Sequence, residues 1–302
     1  MTQDSVNLEG LTSAPPARSV SDPLRQVTVS VIRWQGESTK TAVDELAAEE
    51  PLEIRAASPR RGAPEPVAVI MRTPGQDDEL AAGFLFSEGL LVRREDLVAM
   101  TPGLDDDALP SPHLLDIATT ARADIVARAK AGGYSRQFAV TSSCGVCGKN
   151  SVAAALDTLP PLPRDGFSMT PETLYRLPDL LREAQRVFAA TGGLHAAALF
   201  DADGRLLALR EDVGRHNAVD RLVGRAFLDG ALPLANRALM VSGRLSFEIV
   251  LKALAAGIPL VAAVSAPSSL AVDLARAGGV TLAGFVRGER LNVYTGSERV
   301  RA

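Results

Sequence analysis

The sequence has too few cysteines to be held together by disulfide bonds. Only two occur among its 302 residues, which excludes a small secreted scaffold stapled by several bridges. Hydrophobic residues make up 46% of the chain and charged residues 23%, as is ordinary for globular proteins. The chain therefore has enough apolar material to fold around a core of its own.

Long apolar runs and an excess of positive charge are also missing. The longest apolar run, Ala253–Val264, contains Gly257 and Pro259 and is shorter than the ~20 residues of a spanning helix. Residues 1–25 lack the features of a signal peptide and are expected to form a disordered tail. A net charge of −4 disfavours nucleic acid as a general partner. We therefore expect a cytoplasmic protein that binds neither membranes nor nucleic acid.

The charge is distributed unevenly along the chain. Residues 1–135 carry 13 basic and 21 acidic side chains, whereas residues 136–302 carry 19 basic and 15 acidic ones. The second half is therefore the better place for an anionic ligand, although scattered arginines on solvated faces would give the same count.

The hydrophobic pattern predicts two domains, a small α+β domain over residues 26–133 and a layered α/β domain over residues 134–302. In the first, we expect strands at Val27–Trp34, Pro51–Ile54 and Pro66–Met71, a helix from Asp77 through Leu91, a loop over Thr101–Pro112, and an ambiguous segment at Leu114–Arg128. In the second, the expected helices are Val152–Leu156, Thr170–Phe188, Asn217–Leu228, Phe247–Ala256 and Ser268–Ala277. Its expected strands are His195–Phe200, Arg205–Arg210, Ala238–Val241, Ile258–Val264, Val280–Val286 and Leu291–Tyr294.

The two cysteines, Cys144 and Cys147, stand together as Cys-Gly-Val-Cys within Thr141–Gly148. In a reducing compartment such a pair is typical of a reactive or metal-binding site. Lys149 and the helix start that follows favour the thiolate form. A thiolate accepts a sulfur atom as a persulfide, and the neighbouring thiol then releases it and leaves a disulfide.

Half of a zinc site, or two inert cysteines, are the alternatives for this pair. His195 is the plausible third zinc ligand, because the sequence has only three histidines and no second cysteine pair. Zinc deaminases combine His-x-Glu with Pro-Cys-x-x-Cys, but Ala197 stands in place of the glutamate and no proline precedes Cys144. Deamination is therefore disfavoured, and His195 is expected to be either a proton donor near the sulfurs or a structural histidine.

Several polar segments at predicted strand ends are candidates for binding an anion. Arg210–Asn217 supplies Arg215 and His216, with a simple Asp212–Arg215 ion pair as the alternative. Two segments that lead from a strand into a helix supply further candidates, because helix N-termini bind anions: Ser242, Arg244, Ser265 and Ser268. The last segment combines an aromatic ring with two guanidinium groups, which suits a nucleotide base with its phosphates; a tight hairpin is the alternative. Its residues are Phe285, Val286, Arg287, Gly288, Glu289 and Arg290. The absence of a P-loop leaves ATP hydrolysis unsupported.

Several motifs in order resemble those of the formate dehydrogenase accessory sulfurtransferases, the FdhD family. The segments that carry the resemblance are Glu79–Gly89, Ser142–Gly148, Thr191–His195, Arg210–Asp220, Ser242–Arg244, Ser265–Ser269, Gly284–Arg287 and Asn292–Tyr294. The resemblance implies a cytidine-deaminase-like α/β domain without deaminase activity. It also implies a sulfur carrier that takes persulfide sulfur from a cysteine desulfurase and passes it to the bis(guanine dinucleotide) molybdenum cofactor, before formate dehydrogenase receives that cofactor.

On this resemblance, Cys144 is the first choice for the persulfide and Cys147 its partner, while Phe285–Arg290 binds the cofactor as cargo. No permanently bound metal is expected. Two other functions stay open: a chaperone that delivers the cofactor without sulfur chemistry, and a zinc hydrolase. A two-pterin cofactor would suit a symmetric pair of sites, so a homodimer is a further expectation.

Overall fold

The computed structural model describes residues 25–57, 62–131, 152–163 and 166–301. Its strands are β1 Gln26–Gln35, β2 Ser38–Ala47, β3 Glu50–Ala57, β4 Glu65–Arg72, β5 Leu97–Leu104, β6 Pro110–Thr119, β7 His195–Phe200, β8 Leu206–Asp212, β9 Ala238–Val241, β10 Leu260–Ala263, β11 Thr281–Arg287 and β12 Arg290–Thr295. Its α-helices are α1 Asp77–Ser87, α2 Ile125–Ala131, α3 Val152–Leu156, α4 Pro171–Ala184, α5 Arg186–Thr191, α6 Arg215–Leu228, α7 Phe247–Ala255 and α8 Ser269–Gly278. Within these ranges, no helix has the length and hydropathy needed to cross a bilayer.

Strands β1 and β2 form an antiparallel hairpin that is a sheet of its own. The sequence analysis found β1 but missed β2. Most of the β2 side chains are exposed, so Ser38–Ala47 lacks the alternation of apolar and polar residues by which half-buried strands are recognised. The predicted tail of residues 1–25 lies outside the described residues except for Arg25, whose guanidinium donates to the Glu211 carbonyl at 2.7 Å.

The second sheet has the strand order β4-β3-β6-β5, with β3 and β6 parallel and the other pairs antiparallel. Leu52, Ile54 and Ile117 bury one face of this sheet in a core that α1 completes. The predicted loop over Thr101–Pro112 is wrong in extent, because pairing with β6 continues β5 to Leu104. The ambiguous segment Leu114–Arg128 resolves into the end of β6 followed by the start of α2.

The third sheet, in the second half of the chain, has the order β12-β11-β10-β9-β7-β8. Strands β9, β10 and β11 are parallel, and the remaining neighbours are antiparallel. Successive residues of β10 enter opposite cores: Val261 packs with the cluster that includes α6, α7 and α8, and Ala262 with the cluster that includes α4. Helices on both faces explain the continuous apolar runs, and the expected mixed α/β fold class is confirmed.

One predicted helix in this half is two helices in the structure. The segment Thr170–Phe188 ends as α4 at Ala184 and begins again as α5 at Arg186. Gln185 between them is extended, with φ −76° and ψ 95°, which breaks the helical hydrogen-bond ladder. Its backbone N–H donates to the carbonyl of Arg182.

Helices α1 and α6 join the two halves of the chain by an unusually close crossing. A β-carbon at Gly83 would lie 1.8 Å from the Asp220 carbonyl oxygen, and one at Gly224 would lie 1.8 Å from the Glu79 carbonyl oxygen. Glycine is therefore needed at both positions. Helix α1 ends at Ser87, before the predicted Leu91. The predicted domain boundary near residue 133 stays a prediction.

Candidate functional site

Five segments meet at one edge of the six-stranded sheet. The parallel strands β9, β10 and β11 have their carboxyl ends there. Ser242 directly follows β9, Ser265 lies just after β10, and Phe285 lies near the end of β11. Because β7 is antiparallel to β9, its first residue, His195, lies at the same edge. Strand β8 is antiparallel to β7, so Arg215 directly after β8 also lies there. Ligands of open α/β sheets bind at such an edge, and the predicted anion-binding residues are brought together on it.

His195 and Arg215 both lie close to Gly243. A β-carbon on Gly243 would contact the His195 ring at 3.5 Å and the Arg215 side chain at 3.7 Å. Burial lowers the pKa of His195, the Arg215 cation lowers it further, and the Asp212 carboxylate opposes both. Ser242 is tied to β7, since its hydroxyl accepts from the Ala196 N–H at 2.8 Å. Gly243 therefore lies within van der Waals reach of both a histidine and an arginine.

His216 is the second histidine at this edge and lies deeper. Its Nε2 shares a hydrogen bond with the Ser246 hydroxyl at 2.9 Å and lies 3.7 Å from the Glu248 carboxylate. Burial lowers its pKa to about 3, and the nearby cations of Lys252 and Arg215 contribute to that shift. His216 is therefore neutral at physiological pH and acts as a hydrogen-bonding group that adds no charge to this edge.

The loops after β9 and β10 are bonded to each other. The Leu245 N–H donates to the Ala266 carbonyl at 3.1 Å, and the Ser268 N–H donates to the Leu245 carbonyl at 2.9 Å. The Ser268 hydroxyl caps α8, because it accepts from the Ala271 N–H at 3.3 Å. Helices α7 and α8 therefore begin side by side at this edge, with the exposed Arg244 in the loop before α7.

The predicted cofactor segment is divided between two places. Phe285 lies at the sheet edge, where its N–H donates to the Ser265 carbonyl at 3.2 Å. Its φ of 54° is unusual for a residue with a side chain, and the ring is 37% exposed. Val286 is fully buried in the core, so only its main chain is available to a ligand.

The rest of the segment forms the exposed turn of the β11–β12 hairpin. Arg287 and Arg290 are opposite each other in the strand register, and both side chains are exposed. The segment therefore forms the tight hairpin and also presents two guanidinium groups to solvent. Gly288 and Glu289 line a cavity of about 580 Å³ together with four residues of α4: Glu172, Tyr175, Arg176 and Asp179.

Most of the Arg210–Asn217 cluster holds the chain together instead of facing the edge. Arg210 and Asp212 belong to β8. Asp212 forms its ion pair with Arg221, at 2.8 Å, instead of the pair with Arg215 that the sequence analysis left open. Both side chains of the pair are fully buried. Arg210 binds Glu79 of α1 through two hydrogen bonds of 2.6 and 2.8 Å. Of this cluster, Arg215 and His216 are the residues that the structure brings to the other candidates.

Ser246 and Lys252 were missed by the sequence analysis. Ser246 is the N-cap residue of α7, and a serine directly before the apolar run of that helix was the signal available. Lys252 pairs with Asp220 at 2.7 Å in the buried space between α6 and α7. Burial raises the pKa of Asp220 to about 6, against the lowering effect of Lys252. No sequence signal marks a buried lysine whose partner lies 32 residues away.

Cys144 and Cys147 lie outside the residues that the structure describes. Their role as reactive thiols stays a prediction from the sequence. Among the described side chains, no group of three or more histidine, cysteine, aspartate or glutamate residues is placed to hold a metal ion.

Comparison with protein families identifies the class of this protein. The model of the FdhD/NarQ family matches residues 47–301, and the chain belongs to that family. The resemblance found in its motifs is thereby confirmed.

Individual relatives are similar over most of their length. The sulfur carrier protein FdhD of Streptomyces coelicolor is 50% identical over 274 residues, which cover 89% of this chain and 94% of that protein. The protein of the same name from Mycobacterium tuberculosis is 48% identical over 266 residues, covering 86% and 93%. The one from Sulfurisphaera tokodaii is 43% identical over 272 residues, covering 90% and 98%.

A solved structure shares the fold. The crystal structure is of a protein from Desulfotalea psychrophila that is provisionally described as a formate dehydrogenase accessory protein. It superposes with a TM-score of 0.68 over 92% of this chain and 100% of its own, at 23% identity.

Proposed function

We propose that this protein is a sulfur carrier that acts through a cysteine persulfide and sulfurates the bis(guanine dinucleotide) molybdenum cofactor for formate dehydrogenase. The observation that carries the proposal is the identity of about half of the residues with proteins named sulfur carriers, over nearly the whole chain. The Cys-Gly-Val-Cys segment supplies the thiols that this chemistry needs. Cytoplasmic residence and a cysteine desulfurase as donor are parts of the same proposal.

The first step is the transfer of one sulfur atom between cysteines. The Cys144 thiolate attacks the outer sulfur of a persulfide on the desulfurase, the S–S bond of the donor breaks, and the desulfurase cysteine leaves as a thiolate. Cys144 then carries the atom as a persulfide.

The second step releases the sulfur to the cofactor. The Cys147 thiol attacks the inner sulfur of the Cys144 persulfide, the S–S bond of the persulfide breaks, and a Cys144–Cys147 disulfide forms with release of hydrogen sulfide. The released sulfide would replace an oxygen ligand of the cofactor's molybdenum, and that oxygen would leave as water. Two equivalents of a cellular thiol then reduce the disulfide for the next cycle.

The described edge supplies a suitable place for a large polyanionic substrate. The adjoining N-termini of α7 and α8 present backbone N–H groups that favour phosphate, and Arg215 and Arg244 add positive charge. The neutral His195 and His216 offer hydrogen bonds without charge. The exposed ring of Phe285 offers a face on which a pterin or a guanine stacks.

Sulfur loading is the direct test of the carrier chemistry. The full chain is incubated with a cysteine desulfurase and cysteine, and its mass is measured before and after treatment with a reductant. We expect a reducible gain of one sulfur atom that Cys144→Ala abolishes. The Cys144→Ala/Cys147→Ala double variant should fail to activate formate dehydrogenase in cells. Full activation by the double variant would select a chaperone without sulfur chemistry.

A matched pair of arginine variants tests the cofactor edge separately. Arg244→Ala removes an exposed cation at the edge, whereas Arg205→Ala removes one from the β7–β8 turn at the opposite end of the sheet. We expect Arg244→Ala to bind the isolated cofactor about tenfold more weakly, as for the loss of one charge-assisted contact, and to load sulfur normally. Equal binding by the two variants would remove Arg244 from the site.

A further inference from the structure

The connection from β8 to α6, defined here as residues 212–215, brings Arg215 to the edge of the six-stranded sheet. Arg215 is the first residue of α6, and its charge lowers the pKa of both His195 and His216, so its guanidinium group lies near both rings. An arginine side chain has several rotatable bonds and loses conformational freedom when it binds. Its position towards an anion therefore depends on how firmly the backbone of this connection is held.

Asn217, in the first turn of α6, bonds the connection to the first half of the chain. Its side-chain nitrogen donates to the Asp212 carboxylate at 2.8 Å and to the Met71 carbonyl at 2.8 Å. The amide also packs closely on Gly214, where a β-carbon would lie 2.8 Å from the Asn217 side-chain nitrogen. Because Met71 belongs to β4, one amide group links the two halves of the chain directly beside Arg215.

Thr73, directly after β4, holds the same connection from the first half. Its N–H donates to the Asp212 carboxylate at 3.3 Å, and its hydroxyl accepts from the Val213 N–H at 3.2 Å. The Asp212 carboxylate also accepts from the Gly214 N–H at 2.9 Å. Thr73 and Asp212 are fully buried, so these hydrogen bonds are shielded from water and favour a single arrangement of the connection.

Arg221 joins the two halves further along α6. Its guanidinium group pairs with Asp212 at 2.8 Å and donates to the Thr73 carbonyl at 2.6 Å, and its side chain is fully buried. These bonds remain when Asn217 is replaced. A change at Asn217 therefore loosens the start of α6 and leaves the two halves joined.

We propose that Asn217 is a positioning residue of the cofactor edge: it bonds the connection to the first half of the chain and so fixes the place at which Arg215 meets a phosphate group of the substrate. The inference rests on the proposed function, because it explains how binding at that edge is organised. Asn217 acts through Arg215 and needs no contact with the substrate. The first half of the chain is then part of the binding site, although all the predicted anion-binding residues lie in the second half.

Binding of the isolated cofactor to the full chain tests the proposal in a double-mutant cycle. Arg215→Ala should bind about tenfold more weakly, as for the loss of one charge-assisted contact. Asn217→Ala should bind about fivefold more weakly, because the arginine is present but must be ordered when the ligand binds. The Asn217→Ala/Arg215→Ala double variant should bind like Arg215→Ala alone. General damage to the site would instead weaken binding further in the double variant.

Two other variants separate positioning from a loss of stability. Asn236→Ala makes the same substitution at an exposed residue before β9, at the opposite end of the sheet, and should bind like the original chain. Thr73→Val removes the hydroxyl that accepts from Val213 and should weaken binding about threefold. Thermal unfolding followed by circular dichroism should place the Tm of Asn217→Ala within about 6 °C of the original chain. If Asn217→Ala does not fold, Thr73→Val takes its place in the cycle with Arg215→Ala.

Three outcomes would overturn the positioning role while the original chain binds the cofactor. The first is binding by Asn217→Ala as tight as that of Asn236→Ala. The second is unchanged binding by Arg215→Ala. The third is a double variant that binds about fiftyfold more weakly than the original chain, because Asn217 then acts independently of Arg215.

Sulfur loading distinguishes failure of this inference from failure of the proposed function. If the original chain does not bind the cofactor, the positioning role is wrong in any case. Sulfur uptake by that chain would then still support the carrier chemistry, whereas a lack of uptake would overturn the proposed function as well.

Discussion

Substituting Gly224 by alanine should strongly destabilise the protein, because no space exists for the added methyl group. The β-carbon would lie 1.8 Å from the Glu79 carbonyl oxygen and 2.6 Å from the Gly83 nitrogen. Both neighbours are backbone atoms of α1, so neither yields as the end of a flexible side chain does. Real contacts of a β-carbon stay above 3.0 Å, so the two helices must separate by about 1.2 Å or more.

Separation of the helices disrupts the contacts beside the crossing. The Phe86 and Phe227 rings, with centroids 5.4 Å apart, lose part of their contact. The Ser87 hydroxyl moves away from the Asp220 carboxylate, to which it donates at 3.3 Å. Overpacking of a closed interior costs 1–3 kcal/mol and occasionally more, and we expect about 3 kcal/mol here. For a chain of this size that lowers Tm by about 6–12 °C.

The measurement is chemical and thermal denaturation of Gly224→Ala beside two other variants. Gly83→Ala should lose a similar amount of stability, since its β-carbon would lie 1.8 Å from the Asp220 carbonyl oxygen. Gly166→Ala is the control, because none of the described residues has an atom within 4 Å of its β-carbon position. A free energy of unfolding for Gly224→Ala within about 0.5 kcal/mol of the control would refute the close crossing.

Two further predictions concern the buried polar groups. Arg221→Met should lower the free energy of unfolding by about 3–5 kcal/mol in urea denaturation, because it leaves the Asp212 carboxylate buried without its cation. The control is Asp273→Asn, which removes an exposed ion pair and should cost under about 0.5 kcal/mol. Equal losses of stability in the two variants would contradict the buried pair. His216 has its pKa lowered from 6.5 to about 3 in the folded state, so its contribution to stability is present above pH 6.5 and is lost as the pH falls. Between pH 7 and pH 5 the free energy of unfolding of the original chain should therefore fall by about 2 kcal/mol more than that of His216→Gln. If the difference in stability between the two proteins does not change with pH, the buried neutral imidazole is wrong.

The elements of the six-stranded sheet were the most predictable from sequence. Ala238–Val241 is predicted with its observed bounds, because a strand covered on both faces is a continuous apolar run that ends at polar residues. The strand Ser38–Ala47 was missed for the opposite reason, since most of its side chains are exposed. Helix α4 was extended past Gln185, because helical spacing continues in the sequence where the backbone does not.

The candidate site was predicted as a set of residue types but not as an arrangement. Polar residues at strand ends indicated Ser242, His195 and Arg215, and the topology brings them to one edge. The contact between Asp212 and Thr73 was beyond reach, because the two residues are 139 positions apart in the chain and pairing over that separation leaves no local signal. The same holds for Arg210 and Glu79, which are 131 residues apart.

The close crossing of α1 and α6 also bears on how the chain is made. Residues of α1 leave the ribosome more than a hundred positions before Gly224, so the groove at Gly83 exists before the helix that fills it. Until α6 is made, Leu80 and Leu85 can pack on the four-stranded sheet, but the side of α1 that faces α6 remains exposed to solvent. An amino-terminal fragment ending near residue 131 would keep that side uncovered permanently and should be prone to aggregate, whereas the same fragment mixed with a peptide of α6 has its natural cover supplied in trans.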